Sequence, residues 1–223
     1  MIRTLYKYYK NWPLLKNILF KISIKLKNRG IVLGKKNKIQ FNNCSRLNNK
    51  IHIVGNSNLI SFYNSEIVNC SFKISGDNCI IKISENTHLN GTEFHIENNN
   101  VLIEIGKNCF IGRSHIAAVE DFSKIIIGDN CLISSNVYIR TSDSHGIYDR
   151  ENNERLNFAK SIFISSKVWI AEGAKILKGV SLGEEIVVSS GAVVTKSFKK
   201  NNLIIGGNPA KIIKENTYWT RER

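Results

Sequence analysis

The sequence predicts an all-β solenoid of the parallel β-helix type, and three observations carry that reading. Aliphatic residues recur every six positions on both sides of a polar stretch: Ile127, Ile133 and Ile139 before it, Ile164, Ile170, Ile176, Leu182, Val188 and Val194 after it. Four residues after these openers comes another small or aliphatic side chain, as at Cys131, Val137, Ala174, Val180, Ile186 and Ala192. Glycine, serine, asparagine and aspartate cluster just behind the openers, where a chain has to turn. A helix cannot serve such a period, because 3.6 residues per turn would smear the aliphatic positions around its cylinder. Three hexads make a triangular coil of about eighteen residues, and stacked coils bury one continuous aliphatic column.

Residues 1–29 are expected to form a separate element, a basic amphipathic helix. Leu15, Ile18, Leu19, Ile22 and Leu26 fall at spacings of three and four, Lys16, Lys21, Lys25 and Lys27 surround them, Pro13 suits a first turn, and Arg29-Gly30 makes a stop. The chain has 223 residues and a net charge of +14, yet no acid precedes Glu66 while thirteen Lys and Arg lie in residues 1–65. The basic character therefore belongs to the N-terminal part. Three roles compete for the helix: a cap on the open end of the solenoid, a packing element against a second subunit, and an anchor on an anionic membrane surface. Its aromatics Tyr6, Tyr8, Tyr9 and Trp12 cluster rather than alternate across a sheet, which argues against nucleic acid. The segment is too charged to span a bilayer or to serve as a cleavable signal, so the expected location is the cytoplasm, with peripheral contact at the inner face of the membrane as the variant.

The solenoid itself is expected over residues 30–207 as roughly eight coils. In its first half the period is looser. Gly34-Lys-Lys-Asn, Gly55-Asn-Ser-Asn and Gly76-Asp-Asn-Cys recur every twenty-one residues, and Ile83, Ile105 and Ile127 stand twenty-two apart. These longer coils are expected to carry their extra residues at a corner. Residues 141–160, approximately, interrupt the repeat as a polar excursion, and residues 208–223 read as a short C-terminal tail or helix. Five cysteines, an odd number with no C-x-x-C pair, suggest neither a disulfide framework nor a zinc cluster; Cys109 and Cys131 fall four residues after an opener and read as small core side chains.

Three segments together resemble the left-handed β-helix acyltransferases of the hexapeptide-repeat superfamily: Val168-Trp-Ile-Ala-Glu-Gly-Ala-Lys-Ile-Leu-Lys-Gly-Val-Ser-Leu-Gly183, Ser190-Gly-Ala-Val-Val-Thr-Lys196 and Gly206-Gly-Asn-Pro-Ala-Lys211. The similarity covers roughly residues 100–214 and is greatest to galactoside and maltose O-acetyltransferases and their capsule and O-antigen relatives. The left hand of the coil is what the resemblance implies, since parallel crossovers are ordinarily right-handed. It also implies transfer of an acetyl group from acetyl-CoA to a sugar hydroxyl of a surface-polysaccharide precursor, with no metal, in a homotrimer whose active sites lie between subunits. The alternatives are an N-acetyltransferase of an amino-sugar nucleotide and a silent scaffold in a glycan-assembly complex. A carbonic-anhydrase-like zinc site is disfavoured, because no set of three histidines converges.

Residue by residue, the resemblance places the general base at His145, on the excursion and twenty-four positions before Trp169. Imidazole, with an unperturbed pKa of about 6.5, takes a hydroxyl proton near neutral pH. Asp143 or a backbone carbonyl would fix its tautomer. His52, His88, His95 and His115 read as structural. On the donor side the implied residues are Trp169, Ala171, Ser190, Thr195, Lys196, Lys211 and Lys214, with small side chains admitting the pantetheine and cations meeting the phosphates. On the acceptor side they are Asp121, in Val119-Glu-Asp-Phe122, and Arg113, beside a Gly112 that replaces an asparagine of the sugar acetyltransferases. That replacement points to a different acceptor.

Overall fold

A computed structural model describes residues 29–222. The helix expected over 1–29 lies outside the described residues, except that Arg29 already opens the first strand. Twenty-four strands wind into three sheets, each forming one side of a triangular prism. Sheet A holds Arg29–Leu33, Lys50–Val54, Ser71–Ser75, Glu93–Glu97, His115–Val119, Tyr138–Arg140, Lys175–Ile176 and Val193–Val194, one strand for each of eight coils. Sheet B has seven strands, from Lys38–Asn42 to Ser181–Leu182, and sheet C has nine, from Ser45–Leu47 to Leu203–Gly206 and Lys211–Glu215. Strands within a sheet pair in parallel with the equivalent strand of the next coil.

The coil length follows the sequence period. Lys50 pairs with Ser71 and Ser71 with Glu93, steps of 21 and 22 residues, whereas Lys175 pairs with Val193, a step of 18. The extra residues do not sit only at a corner, as expected, but lengthen the strands: sheet A strands run five residues in Lys50–Val54 and His115–Val119 and two in Lys175–Ile176. Wider coils enclose a wider core, and aromatic rings fill it. Phe41 stacks on Phe62 with centroids 4.9 Å apart, Phe62 meets Phe72 edge-on at 5.0 Å, and Phe72 stacks on Phe94 at 5.0 Å. In the narrow half the same column is built from Ile176, Val194, Ala174 and Ala192, all buried.

Asparagine is abundant because the corners require a left-handed backbone. Asn43, Asn64, Asn86, Asn108 and Asn130 stack coil upon coil between sheets B and C with φ between 52° and 59° for all but Asn64 at 39°. Their amides form a ladder, Asn43 Nδ2 donating to Asn64 Oδ1 at 3.0 Å and Asn64 Nδ2 to Asn86 Oδ1 at 2.7 Å. The glycines spaced by 21 have a different cause: at Gly55, with φ +133°, a Cβ would stand 2.0 Å from the carbonyl oxygen of Gly76 in the next coil.

The C-terminus is neither a helix nor a free tail. Lys211–Glu215 pairs antiparallel with Leu203–Gly206, so its β-branched Ile212 and Ile213 extend the edge of sheet C. The chain then runs back along the corner between sheets B and C. Thr217 N donates to Asn202 O at 3.1 Å, Trp219 Nε1 to Lys167 O at 2.7 Å, and Arg221 Nη2 to Asn108 O at 2.6 Å. Trp219 thereby comes to rest against Trp169, with ring centroids 5.9 Å apart.

Candidate active site

The excursion leaves the solenoid at Thr141 and returns at Ile162, where the coil narrows from its long to its short form. Its neck is closed by Lys160 N donating to Thr141 O at 2.9 Å. Thr141 is buried, and its hydroxyl accepts from Val119 N at 2.8 Å. Beyond the neck the chain forms a small hairpin: Leu156 N donates to Ile147 O at 2.8 Å, Tyr148 bridges Arg155 antiparallel, and Asp149 Oδ1 accepts from Glu151 N at the turn. His145 stands at the base of this arm, exposed, and its imidazole makes no hydrogen bond to any described residue.

Two polar clusters pin the arm to the solenoid. In the first, the Glu120 carboxylate accepts from Ser142 Oγ at 2.7 Å, from Arg155 Nη2 at 2.6 Å and from Ala159 N at 3.2 Å. Burial pushes the Glu120 carboxyl up, but the Arg155 guanidinium, the Ser142 hydroxyl and the Ala159 amide together hold it below the usual carboxylate range. In the second, Asn157 is the hub, with only 8% of its surface exposed. Its Nδ2 donates to Asp143 Oδ2 at 2.9 Å and to His145 O at 2.8 Å, and its Oδ1 accepts from Ile147 N at 2.7 Å. Lys178 Nζ donates to Asp143 Oδ2 and, at 3.0 Å, to Asn157 O. The hydrogen bond from Lys178 holds the Asp143 carboxyl below its ordinary value, with Asn157 adding to the effect.

Asp143 accepts from Lys178 and Asn157 through Oδ2 and makes no hydrogen bond to the His145 imidazole. Asp121 is engaged in the solenoid. Its Oδ1 accepts from Asn99 N at 2.7 Å and ends a corner ladder in which Asp77 Oδ1 serves Asn56 N and Asn56 Oδ1 serves Lys35 N. The acid of the pair that faces the excursion is Glu120.

The expected residues fall into three sets. Asp121, the excursion, Thr195 and Lys196 share the corner between sheets A and B; Arg113, Ala171 and Ser190 share the corner between sheets C and A, at the other end of the sheet A strands. Trp169 faces outward on sheet C beside Phe110, Leu132 and Trp219, and Lys211 and Lys214 lie exposed on the terminal strand. Within one chain, therefore, His145 and the donor residues on sheet C are not brought together. Of the histidines expected to be structural, His88 Nδ1 lies 3.0 Å from Glu66, His95 Nε2 2.9 Å from Glu97 and His115 Nδ1 3.4 Å from Glu93.

The sequence reading missed Glu120, Asn157 and Lys178. A signal for Lys178 did exist: Tyr138 pairs with Lys175 and Ile139 with Ile176, so the same step stacks Lys178 on Thr141, where the excursion departs. Asn157 had none, because a hub inside an irregular loop obeys no period.

The triangular coil, its three sheets of parallel strands with the antiparallel Lys211–Glu215 at one edge, and the arm breaking one corner define a parallel β-helix protein of the hexapeptide-repeat class. A family model described as the hexapeptide repeat of succinyl-transferase matches residues 102–141 and 172–196. The polysialic acid O-acetyltransferase OatWY superimposes with a TM-score of 0.80 and 30% identity, covering 88% of this chain and 92% of that one. The polySia-specific acetyltransferase NeuO superimposes with a TM-score of 0.79 and 32% identity, covering 87% and 89%. The chain belongs to the hexapeptide-repeat acetyltransferase family, with polysialic acid O-acetyltransferases among its close homologues. In sequence, a polysialic acid O-acetyltransferase of Escherichia coli O1:K1 / APEC is 40% identical over 85 residues, which is 38% of this chain but only 27% of that protein's length.

Proposed function

We propose that this protein is an acetyl-CoA-dependent O-acetyltransferase that acetylates hydroxyl groups of an acidic surface polysaccharide. Likeness over nearly the whole chain to a polysialic acid O-acetyltransferase and to a polySia-specific acetyltransferase is the observation that carries the reading, since their names state a polysialic acid acceptor. In the reaction His145 takes the proton of the acceptor hydroxyl, the oxygen attacks the thioester carbonyl, and the coenzyme A thiolate departs and recovers a proton. Lys196, Lys211 and Lys214 form no ion pair with any described residue, which leaves them free for the donor phosphates; Lys196 rests its Nζ 5.7 Å above the Phe198 ring.

Assembly as a homotrimer is part of the same proposal. The arm exposes Ile147, Tyr148, Leu156 and Phe158, and sheet C carries an apolar strip of exposed Phe110 and half-buried Leu132 and Trp169, bordered by Trp219 of the C-terminal segment. An arm seated on a second copy's strip is a heterologous contact, which closes into a ring of three when successive copies are related by a threefold rotation. It would bring His145 beside the second copy's Trp169, from which one chain keeps it apart. Residues 1–28 would add a surface contact with anionic lipid, at up to about 1 kcal/mol per cation near the leaflet. The test of the acceptor is incubation with labelled acetyl-CoA and a panel of acidic and neutral polysaccharides. Hydroxylamine-labile label on acidic chains alone supports the reading; label on neutral chains or on free amino sugars alone contradicts it.

A further inference from the structure

The excursion contains some twenty residues and a single exposed imidazole, yet a general base works only when held within a fraction of an ångström of its place. An irregular loop pays a conformational cost for that precision and needs an explicit device to hold it. The histidine ring itself is not held by any described residue, so the device must act on the backbone to either side of it.

We propose that Asn157 and Lys178 form a latch that sets the position of His145, Asn157 as the clamp and Lys178 as the bolt to the solenoid. This rests on the reading of His145 as the base. One carboxamide grips both flanks of the histidine: its Nδ2 holds Asp143 Oδ2 at 2.9 Å on the N-terminal side and the carbonyl of His145 itself at 2.8 Å, while its Oδ1 holds Ile147 N at 2.7 Å on the other. No other side chain of the described residues spans that segment. Lys178 then joins the clamp to the rigid part of the molecule. It comes from the corner after Lys175–Ile176, one coil beyond the departure point, and donates to both Asp143 Oδ2 and Asn157 O. Its side chain is only 20% exposed, whereas that of Asp143 is 45% exposed, so the pair is anchored from the solenoid side. The Glu120–Arg155 cluster fastens the far part of the arm and adjoins the latch, with Arg155 Nε donating to Asn157 Oδ1 at 3.4 Å and Ser142 Oγ accepting from Ser144 N at 3.1 Å, but only Asn157 bonds on both sides of His145.

Neither latch residue meets the reacting atoms, so their removal should lower turnover without changing donor affinity. The test is steady-state kinetics of the full chain with acetyl-CoA and polysaccharide for Asn157→Leu, Lys178→Met and Lys178→Arg, alone and combined with His145→Ala. Since displacing a base by about 1 Å costs around a hundredfold, Asn157→Leu and Lys178→Met should lower kcat ten- to hundredfold and leave KM for acetyl-CoA within about twofold. Lys178→Arg should recover most of the rate, and neither latch change should slow the His145→Ala enzyme further. Undiminished kcat in both variants, or an equal loss in the His145→Ala background, would overturn the latch. If His145→Ala itself is fully active, the base assignment fails separately; the latch is then judged by tryptic cleavage at Arg150, which Asn157→Leu and Lys178→Met must accelerate at unchanged thermal stability.

Discussion

Two glycines in the left-handed half of backbone space separate steric necessity from mere preference. Gly55 has φ +133°, and a Cβ there would lie 2.0 Å from Gly76 O and 2.7 Å from Gly76 C. Neither backbone can step aside, because Gly55 N donates to Leu33 O at 3.1 Å and Gly76 N to Val54 O at 2.9 Å in the ladder between coils. Gly191 has φ +67°, and its Cβ would meet nothing within 4 Å. Gly191→Ala should therefore cost only the left-handed penalty of about 1–2 kcal/mol. Gly55→Ala adds an overlap with immobile backbone and should exceed about 4 kcal/mol, the range reserved for named structural faults. In a solenoid such damage stays close to its coil. Hydrogen exchange read by mass spectrometry should then show strands Lys50–Val54 and Ser71–Ser75 losing protection by roughly a thousandfold in Gly55→Ala, at 1.4 kcal/mol per decade, while Gly191→Ala changes its own coil about tenfold. Equal protection in the two variants would refute the stacking argument.

Lys196→Ala and Lys211→Ala should raise KM for acetyl-CoA more than KM for the acceptor; a purely acceptor-side effect in initial-rate kinetics would place the donor elsewhere. Sedimentation should give a species near three times the chain mass of 25.3 kDa, and a monomer at micromolar concentration would contradict the ring. The hydrogen bond from Lys178 holds the Asp143 carboxyl below the ordinary aspartate value of 3.8, so the stability it lends the arm is complete above that value and is lost as pH falls through the lower folded one. Tryptic-type nicking of the arm by an acid-active protease should rise only below that pH in the wild type, and a rise beginning near neutrality would contradict the clip. Deleting residues 1–28 should abolish cosedimentation with anionic liposomes at low salt and spare activity on a soluble acceptor; insolubility of the truncated chain, with no liposome binding by the intact one, would assign the segment to packing instead.

The period was legible because stacking imposes it. Outside the excursion, which stretches the step to 37, inward residues meet their equivalents 17 to 22 positions away, so Ile81, Ile103 and Ile125, or Cys109 and Cys131, had to recur as small or aliphatic side chains. The neighbouring Cys109 thiol, and then burial, push the Cys131 thiol well up. What the sequence hid were contacts between residues with no periodic relation. Asp121 and Glu120 are adjacent acids, and only the corner geometry sends one into the ladder and the other to the arm. Lys211–Glu215 lacked a partner in sequence, yet a bare edge of sheet C supplies one. The split of His145 from Trp169 was equally hidden, because distance along a solenoid is counted in coils and around it in corners.

The most direct measurement of the central claim is single-turnover transfer of labelled acetyl from acetyl-CoA to acidic polysaccharide, comparing the wild type with His145→Ala at neutral pH. The account predicts hydroxylamine-labile label on the polysaccharide and a rate lower in the variant by about 10²–10⁴-fold with acetyl-CoA binding unchanged. Equal rates in the two proteins, or no transfer to any glycan by the wild type, would contradict it.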